Sequence, residues 1–333
     1  MKPCRIGVVG PGLIWKNAHR PALEELGMPV ELTAFSGSSE RTRREVAETY
    51  PGVPCYSDYN ELVESAEVDW VLVLTPIALN TPVAIAAMRA GKNVLLEKPM
   101  SRTLEEASEL VRVADECGRQ LYVLEQMAYS PALAAIRGVI DSGELGDLVM
   151  FDQTSHAILD ATPEHHARGF GGTPWRIQPD FPLGTLFDGG HHTISFQSRL
   201  FGMPTHLFAT GSSLRPTYGD YDHVLTTFEY SSNLRGVLSY SSYMGGERNY
   251  FYIRGTKGLL EVAGQRIIVQ PYEGSAREVA VQAENLHVAM WRELLTAISN
   301  GTEPSYLKEM ALGDMSILFA IDRSLKQEAR ERI

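Results

Sequence analysis

Two short stretches of the chain carry side chains whose types suit proton transfer and the stabilisation of negative charge. In the stretch Gly91 to Met100, an apolar run ends in Glu97 and Lys98, where a buried parallel strand would leave its sheet. Open α/β sheets bind their ligands outside that edge, so the Lys98 ammonium group can face a substrate. Pro99 has no N–H and ends the strand. The alternative is a strand end with a solvated Glu-Lys pair.

The second stretch, Asp188 to His192, contains the pattern Asp-x-x-x-His. If it is helical, Asp188 and His192 lie on one face and project together. Histidine titrates near neutral pH and can exchange a proton with a carbinol, while a lysine stabilises a developing alkoxide. His191 would face about a hundred degrees away on the same helix and has the weaker claim. The alternative is a helix N-terminus rich in capping residues.

A glycine turn near the amino terminus predicts a dinucleotide site. The apolar run Ile6–Val9 leads into Gly10-Pro11-Gly12 and then an amphipathic helix. In this order Gly10 permits a tight turn, and Gly12 lets the backbone approach a pyrophosphate at the helix N-terminus. Trp15 stands where the usual fingerprint has a third Gly or an Ala. The helix is therefore expected to depart from its usual position, with Pro21 limiting or kinking its first turns.

The elements that position these groups predict an α/β protein of two domains, since a chain of 333 residues exceeds the roughly 250 to 300 residues of a single core. Residues 1–125 alternate apolar runs with helical stretches, as a Rossmann doubly wound parallel sheet requires. Thr81-Pro82 is expected to begin one helix, and Thr103 with Glu106 to form a capping box on the next. The expected strands are Arg5–Val9, Val30–Ser36, Trp70–Leu74, Asn93–Leu96 and Gln120–Leu124.

Residues 126–333 are expected to form an α+β domain with a large open, mostly antiparallel sheet. Ser231-Ser232-Asn233 predicts a hairpin turn, and the segment 160–182 is expected to arch as a loop over a pocket. The two last helices, Leu286–Ser299 and Leu307–Lys326, are expected to pack back against the first domain. Period-two alternation predicts strands at Leu148–His156, His206–Ser213, His223–Tyr230, Leu234–Tyr243, Asn249–Arg254 and Arg266–Gln270.

These motifs together resemble the glucose-fructose oxidoreductase and inositol dehydrogenase family (Gfo/Idh/MocA), and the resemblance covers most of the chain. Glu-Lys-Pro combined with Asp-x-x-x-His is its most specific part. The resemblance implies an NAD(P)-dependent oxidoreductase that transfers a hydride between nicotinamide and a carbinol or carbonyl carbon of a sugar, cyclitol or sugar derivative. It rests on the glycine turn, Thr75-Pro76, Glu97-Lys98-Pro99, Gly143-Glu144-Leu145-Gly146, Asp188 with His192, and Asp322-Arg323-Ser324.

The resemblance implies roles for three residues. His192 is expected to be the general acid/base, Lys98 to orient and polarise the substrate oxygen, and Asp188 to contact a substrate hydroxyl or orient the histidine. Core packing is the alternative for Trp175. Cofactor contacts are expected from Gly10, Gly12, Leu13, Ile14, Ser36, Arg41, Thr75, Pro76, Asn80, Glu97, Lys98 and Gln126. Substrate contacts are expected from Lys98, Tyr129, His156, Trp175, Arg176, Asp188, His191 and His192.

The end of the second predicted strand bears on the choice of cofactor. An acidic residue there would bind the ribose 2′-hydroxyl of NAD, and this sequence has none. Ser36 and Arg41, with Arg43 or Arg44 as auxiliaries, favour the 2′-phosphate of NADP. The alternative is a plain loop with solvated arginines, which leaves NAD possible. Asn80 stands where the family usually has a histidine beside the nicotinamide ribose, and a helix N-cap is its alternative role.

Composition limits the other classes of function. The chain has 41 acidic and 30 basic residues, a net charge of −11, which disfavours nucleic acid and anionic membranes as partners. No apolar run approaches the roughly 20 residues of a membrane helix, and no signal peptide is recognised, so a cytoplasmic location is expected. Cys4, Cys55 and Cys117 are expected to be reduced. The adjacent His165-His166 and one Asp-x-x-x-His pair do not supply a zinc ligand set, so no metal is expected.

Two other functions and one assembly remain open. The first rival is an NAD-dependent glycosidase of the same family, which would cleave a glycoside without a net change in nicotinamide absorbance. The second is a non-catalytic, cofactor-sensing binding protein, against which Lys98, Asp188 and His192 speak. The small-molecule partner is expected to be a sugar, polyol or keto-sugar. By resemblance, the free face of the C-terminal sheet is expected to support a homodimer or homotetramer.

Overall fold

The computed structural model describes residues 4–65, 67–159, 169–245, 249–264 and 266–333. The chain divides into two compact units. The first contains Met1–Tyr129 and Asn285–Leu312, and the second contains Ser130–Glu284 and Gly313–Ile333. The first unit therefore includes a segment from near the end of the chain as well as the amino-terminal part.

Within the described residues, the chain forms fifteen strands and eleven α-helices. The strands are β1 (Cys4–Val9), β2 (Val30–Ser36), β3 (Cys55–Tyr56), β4 (Trp70–Val73), β5 (Asn93–Glu97), β6 (Leu121–Leu124), β7 (Leu148–His156), β8 (His206–Ser212), β9 (His223–Glu229), β10 (Arg235–Ser241), β11 (Tyr250–Gly255), β12 (Gly258–Ala263), β13 (Arg266–Pro271), β14 (Arg277–Val279) and β15 (Glu331–Arg332). The α-helices are α1 (Arg20–Leu26), α2 (Glu40–Thr49), α3 (Tyr59–Glu64), α4 (Ile77–Arg89), α5 (Leu104–Cys117), α6 (Pro131–Asp141), α7 (Pro174–Ile177), α8 (Thr185–Asp188), α9 (His191–Phe201), α10 (Leu286–Asn300) and α11 (Lys308–Gln327).

The first unit is built on a six-stranded parallel sheet with the order β3-β2-β1-β4-β5-β6. Its central strands are buried along most of their length, which explains their nearly continuous apolar sequences. The predicted Rossmann-type doubly wound sheet is confirmed. The two-residue strand β3 was not predicted, because so short a strand leaves no apolar run to recognise.

Two helix starts in the first unit test the capping predictions. Thr103 accepts the Glu106 backbone N–H at 3.1 Å and so caps α5 as predicted, whereas the Glu106 carboxylate reaches back to the N–H of Arg102. The prediction that Thr81 and Pro82 begin a helix is wrong, since α4 begins at Ile77 and contains Pro82. Pro82 is the sixth residue of α4 and lacks the N–H for one intrahelical hydrogen bond.

The helix that follows the glycine turn departs from regular α geometry. Its segment Trp15–His19 is a π-helix, and α1 continues from Arg20 with Pro21 in its first turn. The Trp15 side chain is buried, with its ring centroid 6.0 Å from Phe35. A large indole in place of the usual glycine needs space at this packing position, and the wider turn of a π-helix provides it.

The second unit is built on a nine-stranded sheet with the order β14-β13-β12-β11-β7-β10-β9-β8-β15. β7 and β10 are parallel, and the other described pairs are antiparallel, so the predicted open, mostly antiparallel sheet is confirmed. The predicted turn at Ser231-Ser232-Asn233 joins β9 to β10. The strands β12, β14 and β15 were not predicted.

One face of this sheet packs against α9 and forms the core of the second unit. Phe151 of β7 stacks on Phe201 of α9 with ring centroids 4.5 Å apart. Next along the same face, Gln197 donates to Gln153 at 2.8 Å, and the hydroxyls of Ser155 and Thr193 lie 3.1 Å apart. Odd-numbered residues of β7 therefore face the helix, and even-numbered residues face the opposite side.

Among the residues that the structure describes, no helix combines the length and the apolar character that crossing a membrane requires.

Candidate active site

The carboxyl edge of the first unit's sheet brings together five of the residues that the sequence singled out. In the parallel register, Val9 lies beside Ser36 and Val73, Val73 lies beside Leu96, and Leu96 lies beside Val123. These strands therefore end at one edge. The chemistry-bearing residues at or just after the strand ends are Gly10, Ser36, Thr75, Lys98 and Gln126.

The glycine turn has the form that a pyrophosphate cradle needs. Gly10 has a φ of +80°, and a Cβ there would lie 2.9 Å from the Leu74 carbonyl oxygen, so only glycine fits. A Cβ on Gly12 would meet no atom nearer than 3.8 Å, which leaves the exposed side of this turn open to a ligand. Leu13, 39% exposed, and Ile14 open the helix that follows. The residues present therefore fit a dinucleotide at the helix N-terminus.

The arginines after β2 have different surroundings from those expected. Ser36, at the strand end, is only 4% exposed. The Arg41 side chain is 87% exposed and pairs with Glu45 at 3.0 Å on its own helix. Arg43, named only as an auxiliary, donates to the carbonyl oxygens of Gly37 at 2.8 Å and Ser38 at 3.0 Å. Arg43 is thus the arginine that lies against the loop after β2.

Asn80 has a role that neither sequence interpretation anticipated. It lies inside α4 and is 1% exposed, so its interpretation as a helix N-cap is wrong. Its amide nitrogen donates to the carbonyl oxygens of Glu97 at 3.2 Å and Pro99 at 2.9 Å, and its oxygen accepts from Thr75 at 2.9 Å. Asn80 therefore holds the main chain on both sides of Lys98, whose peptide bond to Pro99 is cis. The exposed Pro76 precedes α4 as its N-cap residue.

Glu97 does not form a solvated pair with Lys98. Its side chain is buried, and its Oε2 accepts the Lys98 backbone N–H at 2.6 Å. Its Oε1 faces Nε2 of the buried His19 at 3.6 Å. Burial by itself raises the pKa of Glu97, but the facing His19 ring and the nearby Lys98 and His287 outweigh it, and the pKa lies below its ordinary value. Glu97 is therefore an ionised carboxylate in a buried position.

Gln126 and Tyr129 lie on a short 3₁₀ helix that follows β6. Gln126 is half-buried and Tyr129 is buried. The buried carboxylate of Glu125 accepts the Met127 N–H at 2.9 Å and fixes the start of this helix. Gln126 therefore has a defined position just beyond the carboxyl end of β6, as a cofactor contact there requires.

In the second unit, two predicted substrate contacts bind each other. Nε of Arg176 lies 2.6 Å from Oδ2 of Asp188, which is 9% exposed. The Arg176 guanidinium group also lies over the Trp175 ring, 3.9 Å from its centroid. Trp175 thus serves as a platform for the arginine, and this stacking fixes the direction from which the guanidinium group meets Asp188.

The premise that Asp188 and His192 share one continuous α-helix is wrong. α8 ends at Asp188, and α9 begins at His191 after Gly189 and Gly190. Gly190 donates its backbone N–H to the Thr185 carbonyl oxygen, a longer reach than an α-helix uses. The two side chains still belong to consecutive turns. His191 is 1% exposed and His192 is half-buried, so the two histidines differ in burial.

His156 lies on a different face of the sheet from α9. Its neighbour Ser155 contacts Thr193 of α9, so the His156 side chain points to the opposite face. There its Nε2 lies 2.8 Å from the Ser239 hydroxyl, and the His223 ring centroid is 6.2 Å from its own. Within the second unit, the structure therefore separates His156 from Asp188 and His192.

Two glycines fix the loops around the Arg176–Asp188 pair. Gly184 precedes α8 with a φ of +51°, and a Cβ there would overlap the Tyr218 carbonyl oxygen. A Cβ on Gly219, φ +99°, would lie 2.5 Å from the Gly184 Cα. Tyr218 also donates its N–H to the Ile177 oxygen at 2.8 Å and its hydroxyl to the Gly171 oxygen at 3.1 Å. These loops are therefore held at one backbone crossing.

Sequence reasoning did not identify two further groups. Arg215 and the buried Asp222 form an ion pair of 2.6 Å, and Arg215 also donates to the carbonyl oxygen of Leu159 and the hydroxyl of Ser242. This arginine joins three loops of the second unit. The other group is His19, whose only sequence signal was its place in the helix after the glycine turn.

Within the described ranges, no three His, Cys, Asp or Glu side chains are grouped as metal ligands would be. His165 and His166, and with them residues 160–168 of the expected loop over the pocket, lie outside the described residues.

Both parts of the chain match models of one protein family. The model of an oxidoreductase family with an NAD-binding Rossmann fold (Gfo/Idh/MocA) matches residues 4–125, and the model of the Gfo/Idh/MocA C-terminal domain matches residues 133–261. The chain is 29% identical over 251 residues to scyllo-inositol 2-dehydrogenase (NADP(+)) IolW of Bacillus subtilis, a match that covers 75% of this chain and 66% of that protein. It is 23% identical over 345 residues to the NADP(+)-linked D-xylose 1-dehydrogenase of Haloarcula marismortui, covering 99% of this chain and 93% of that protein. A crystal structure of an oxidoreductase from Thermotoga maritima superposes with a TM-score of 0.89 at 26% identity and covers 99% of this chain and 98% of that one.

Proposed function

Because the chain belongs to the Gfo/Idh/MocA family of NAD(P)-dependent oxidoreductases, we propose that it is an NADP-dependent dehydrogenase or reductase that acts on a carbinol or carbonyl carbon of a sugar, cyclitol or sugar derivative. The observation that carries this proposal is the position of Lys98. It follows β5 at the same sheet edge as the glycine turn, and Glu97 and Asn80 fix its main chain from both sides. The names of the two curated relatives, an inositol and a xylose dehydrogenase, support the substrate class.

The first unit's own residues hold the cofactor in this proposal. Gly10, Gly12 and the N–H groups that open the following helix bind the pyrophosphate, and Thr75 and Gln126 lie at the strand ends where the nicotinamide half would be bound. When bound, the nicotinamide ring supplies the hydride acceptor or donor. The protein supplies binding, orientation and proton transfer.

The proton chemistry is assigned to two residues. We assign His192 as the group that takes the hydroxyl proton during oxidation and returns it during reduction. The Lys98 ammonium group stabilises the negative charge that develops on the substrate oxygen. Asp188, oriented by Arg176, accepts a hydrogen bond from a substrate hydroxyl or from the histidine. The residual N–H groups of Arg176 add a donor for an oxygen-rich substrate.

A preference for NADP is supported by the arginines after β2. The strand end offers no carboxylate for a ribose 2′-hydroxyl, and Arg43 lies against the backbone of Gly37 and Ser38 with a guanidinium group suited to a phosphate. Replacing Arg43 with alanine should raise KM for NADP by about tenfold and change KM for NAD little, since a charge-assisted contact to a phosphate is lost. Arg44→Ala is the control, because Arg44 pairs with Glu40 on the surface of α2. A wild-type kcat/KM that favours NAD would overturn the NADP assignment.

A panel of sugars, polyols and keto-sugars, followed by nicotinamide absorbance with both cofactors, tests the activity. Turnover of at least one secondary alcohol or aldose supports the dehydrogenase. Glycoside cleavage with no net absorbance change would instead identify the glycosidase chemistry of the same family. Tight cofactor binding without turnover of any compound would favour the cofactor-sensing protein.

Self-association through the second unit's sheet completes the proposal. The face opposite α9 exposes apolar side chains, among them Phe208 and Leu225, which are 39% and 44% exposed. Burial of such a face between copies would remove apolar area from water. Light scattering of the wild type and of a Phe208→Asp, Leu225→Asp double variant tests this assembly. An unchanged molar mass would exclude this face from the contact.

A further inference from the structure

His19 is a buried titratable residue that the nucleotide fingerprint does not use. It is the last residue of the π-helix after the glycine turn and is 0% exposed. Its ring contacts Trp291 and His287 edge to face, with centroids 5.7 Å and 5.5 Å away. Burial of a polar ring costs free energy unless its nitrogens interact with other groups, so the two ring nitrogens decide what this residue does.

The bond with Trp291 fixes which nitrogen of His19 carries the proton. Nε1 of Trp291 lies 3.1 Å from Nδ1 of His19. An indole N–H can only donate, so Nδ1 must accept with its lone pair and the ring proton lies on Nε2. His19 is therefore held as one tautomer by a residue 272 positions away in the chain.

The protonated nitrogen faces Glu97. Nε2 of His19 lies 3.6 Å from Oε1 of Glu97, an ion-pair distance that is too long for a hydrogen bond, and among the described residues this nitrogen has no hydrogen-bond partner. The other oxygen of the same carboxylate accepts the Lys98 backbone N–H at 2.6 Å. A line of polar contacts thus runs from Trp291 through His19 and Glu97 to the main chain of Lys98.

We propose that His19 is a positioning residue for Lys98: held by Trp291, it orients the Glu97 carboxylate, which in turn fixes the Lys98 main chain. This role rests on the proposed function only in its catalytic consequence. The contact chain itself is a property of the first unit, and the Lys98 backbone N–H reports on it in the protein without substrate. Asn80 fixes the flanking carbonyl oxygens, and the Glu97 carboxylate adds a restraint on the Lys98 nitrogen itself.

A pair of amide substitutions separates the two functions of the imidazole. In His19→Gln the amide group reaches the place of Nε2 and can still donate towards Glu97. In His19→Asn it reaches only the place of Nδ1 and can still accept from Trp291. Both variants remove the ring and keep a polar side chain, so a loss confined to the Asn variant is specific to the Glu97 side. Trp291→Phe provides a second route, because it removes the donor that fixes the tautomer.

The first readout is hydrogen exchange at the Lys98 amide of the full chain without cofactor. We expect His19→Asn to speed this exchange by about tenfold and His19→Gln by less than about threefold, since protection follows the local opening free energy. Trp291→Phe should fall between them. Amides of β4 and β6 should keep the wild-type rates, which separates local loosening from general destabilisation. Tyr122→Phe is the control, since it removes another polar contact of this unit, with Thr302.

The second readout is turnover on a substrate found in the panel. We expect His19→Asn to lower kcat by about tenfold with KM for the cofactor unchanged, and His19→Gln to restore most of kcat, because misplacing a reacting group by a fraction of an ångström is costly. Equal exchange at Lys98 in the wild type and His19→Asn would overturn the inference, whatever the activity. Faster exchange in a protein that turns over no substrate would sustain the positioning role and reject the proposed function.

Discussion

Two residues of the candidate site, Lys98 and Asp188, are supported in different ways by their own units. Lys98 follows a central strand of a parallel sheet, and the side chains that fix its main chain, Asn80 and Glu97, are 1% and 8% exposed. Asp188 ends the four-residue helix α8, and Arg176, which orients it, lies on the four-residue helix α7 with a side chain that is 19% exposed.

In the proposed function, Lys98 serves the chemical step, whereas Asp188 and Arg176 serve substrate recognition. A group that polarises the reacting oxygen must keep one position for every substrate, and buried hydrogen bonds to the main chain provide that. A group that meets the rest of a sugar must suit one substrate among many, and the loops that connect the short helices α7 and α8 change with least cost to the fold. We therefore expect substitutions around Lys98 to act on kcat and substitutions around Arg176 to act on KM.

The largest effect is expected from the two proposed catalytic groups. Lys98→Met removes the charge that stabilises the alkoxide, and His192→Asn removes the titrating group. Each should lower kcat by about a hundredfold or more, as loss of acid/base or electrostatic catalysis does. Cofactor fluorescence should give nearly the wild-type dissociation constant. Retention of more than about a tenth of kcat would refute the assigned role.

The next largest effect is expected from a substitution of Asn80, which restrains the Lys98 main chain. Asn80→Ala removes the buried hydrogen bonds to Glu97, Pro99 and Thr75, and should lower kcat by about tenfold with little change in KM. The free energy of unfolding should fall by about 1 to 3 kcal/mol, the cost of buried polar groups left unpaired. Denaturant titration measures the second quantity. The exposed Asn60 of α3, changed to alanine, should alter neither value.

A substitution at Arg176, in the recognition region, should change KM more than kcat. Arg176→Ala leaves Asp188 without its ion-pair partner and should raise KM for the substrate by about tenfold with a smaller fall in kcat, because binding contacts are lost in ground and transition states alike. The control is Arg266→Ala, which removes an exposed ion pair with Glu278. A fall confined to kcat would contradict the division between chemistry and recognition.

The smallest expected effect is on thermal stability and concerns His156, which lies outside both regions. Burial and the nearby His223 hold the pKa of His156 below its ordinary value of 6.5. The unfolded chain therefore binds this proton more readily, so the stability that the neutral ring contributes is present above pH 6.5 and is lost as pH falls below it. Between pH 7.5 and 5.5, we expect the Tm of the wild type to fall further than that of His156→Asn by about 1 to 2 °C. Equal falls would show that this ring does not titrate as inferred.

The sequence predicted those parts of the fold that depend on local residue patterns. The strands β1 and β5 contain continuous apolar runs that are followed by glycine or by charged residues, so their positions were recognisable. The prediction at Pro82 failed because the pattern Thr-Pro also occurs inside a helix, one turn after its real start at Ile77.

Local sequence patterns could not predict the contacts that hold the candidate site residues in place. The contact of His19 with Trp291 joins residues 272 positions apart, and that of Asn80 with Pro99 depends on how α4 packs beside β5. The Arg176–Asp188 pair was likewise hidden, although both residues were named separately, because nothing in their types distinguishes a substrate contact from a contact with each other.

The backbone crossing of Gly184 and Gly219 sets a rule for changing the substrate by directed evolution. Neither position accepts a side chain, so a random library that includes them would consist mostly of misfolded clones. Diversity is better placed at Trp175 and its neighbours on α7, where new side chains can be sampled while the crossing holds the flanking loops in place.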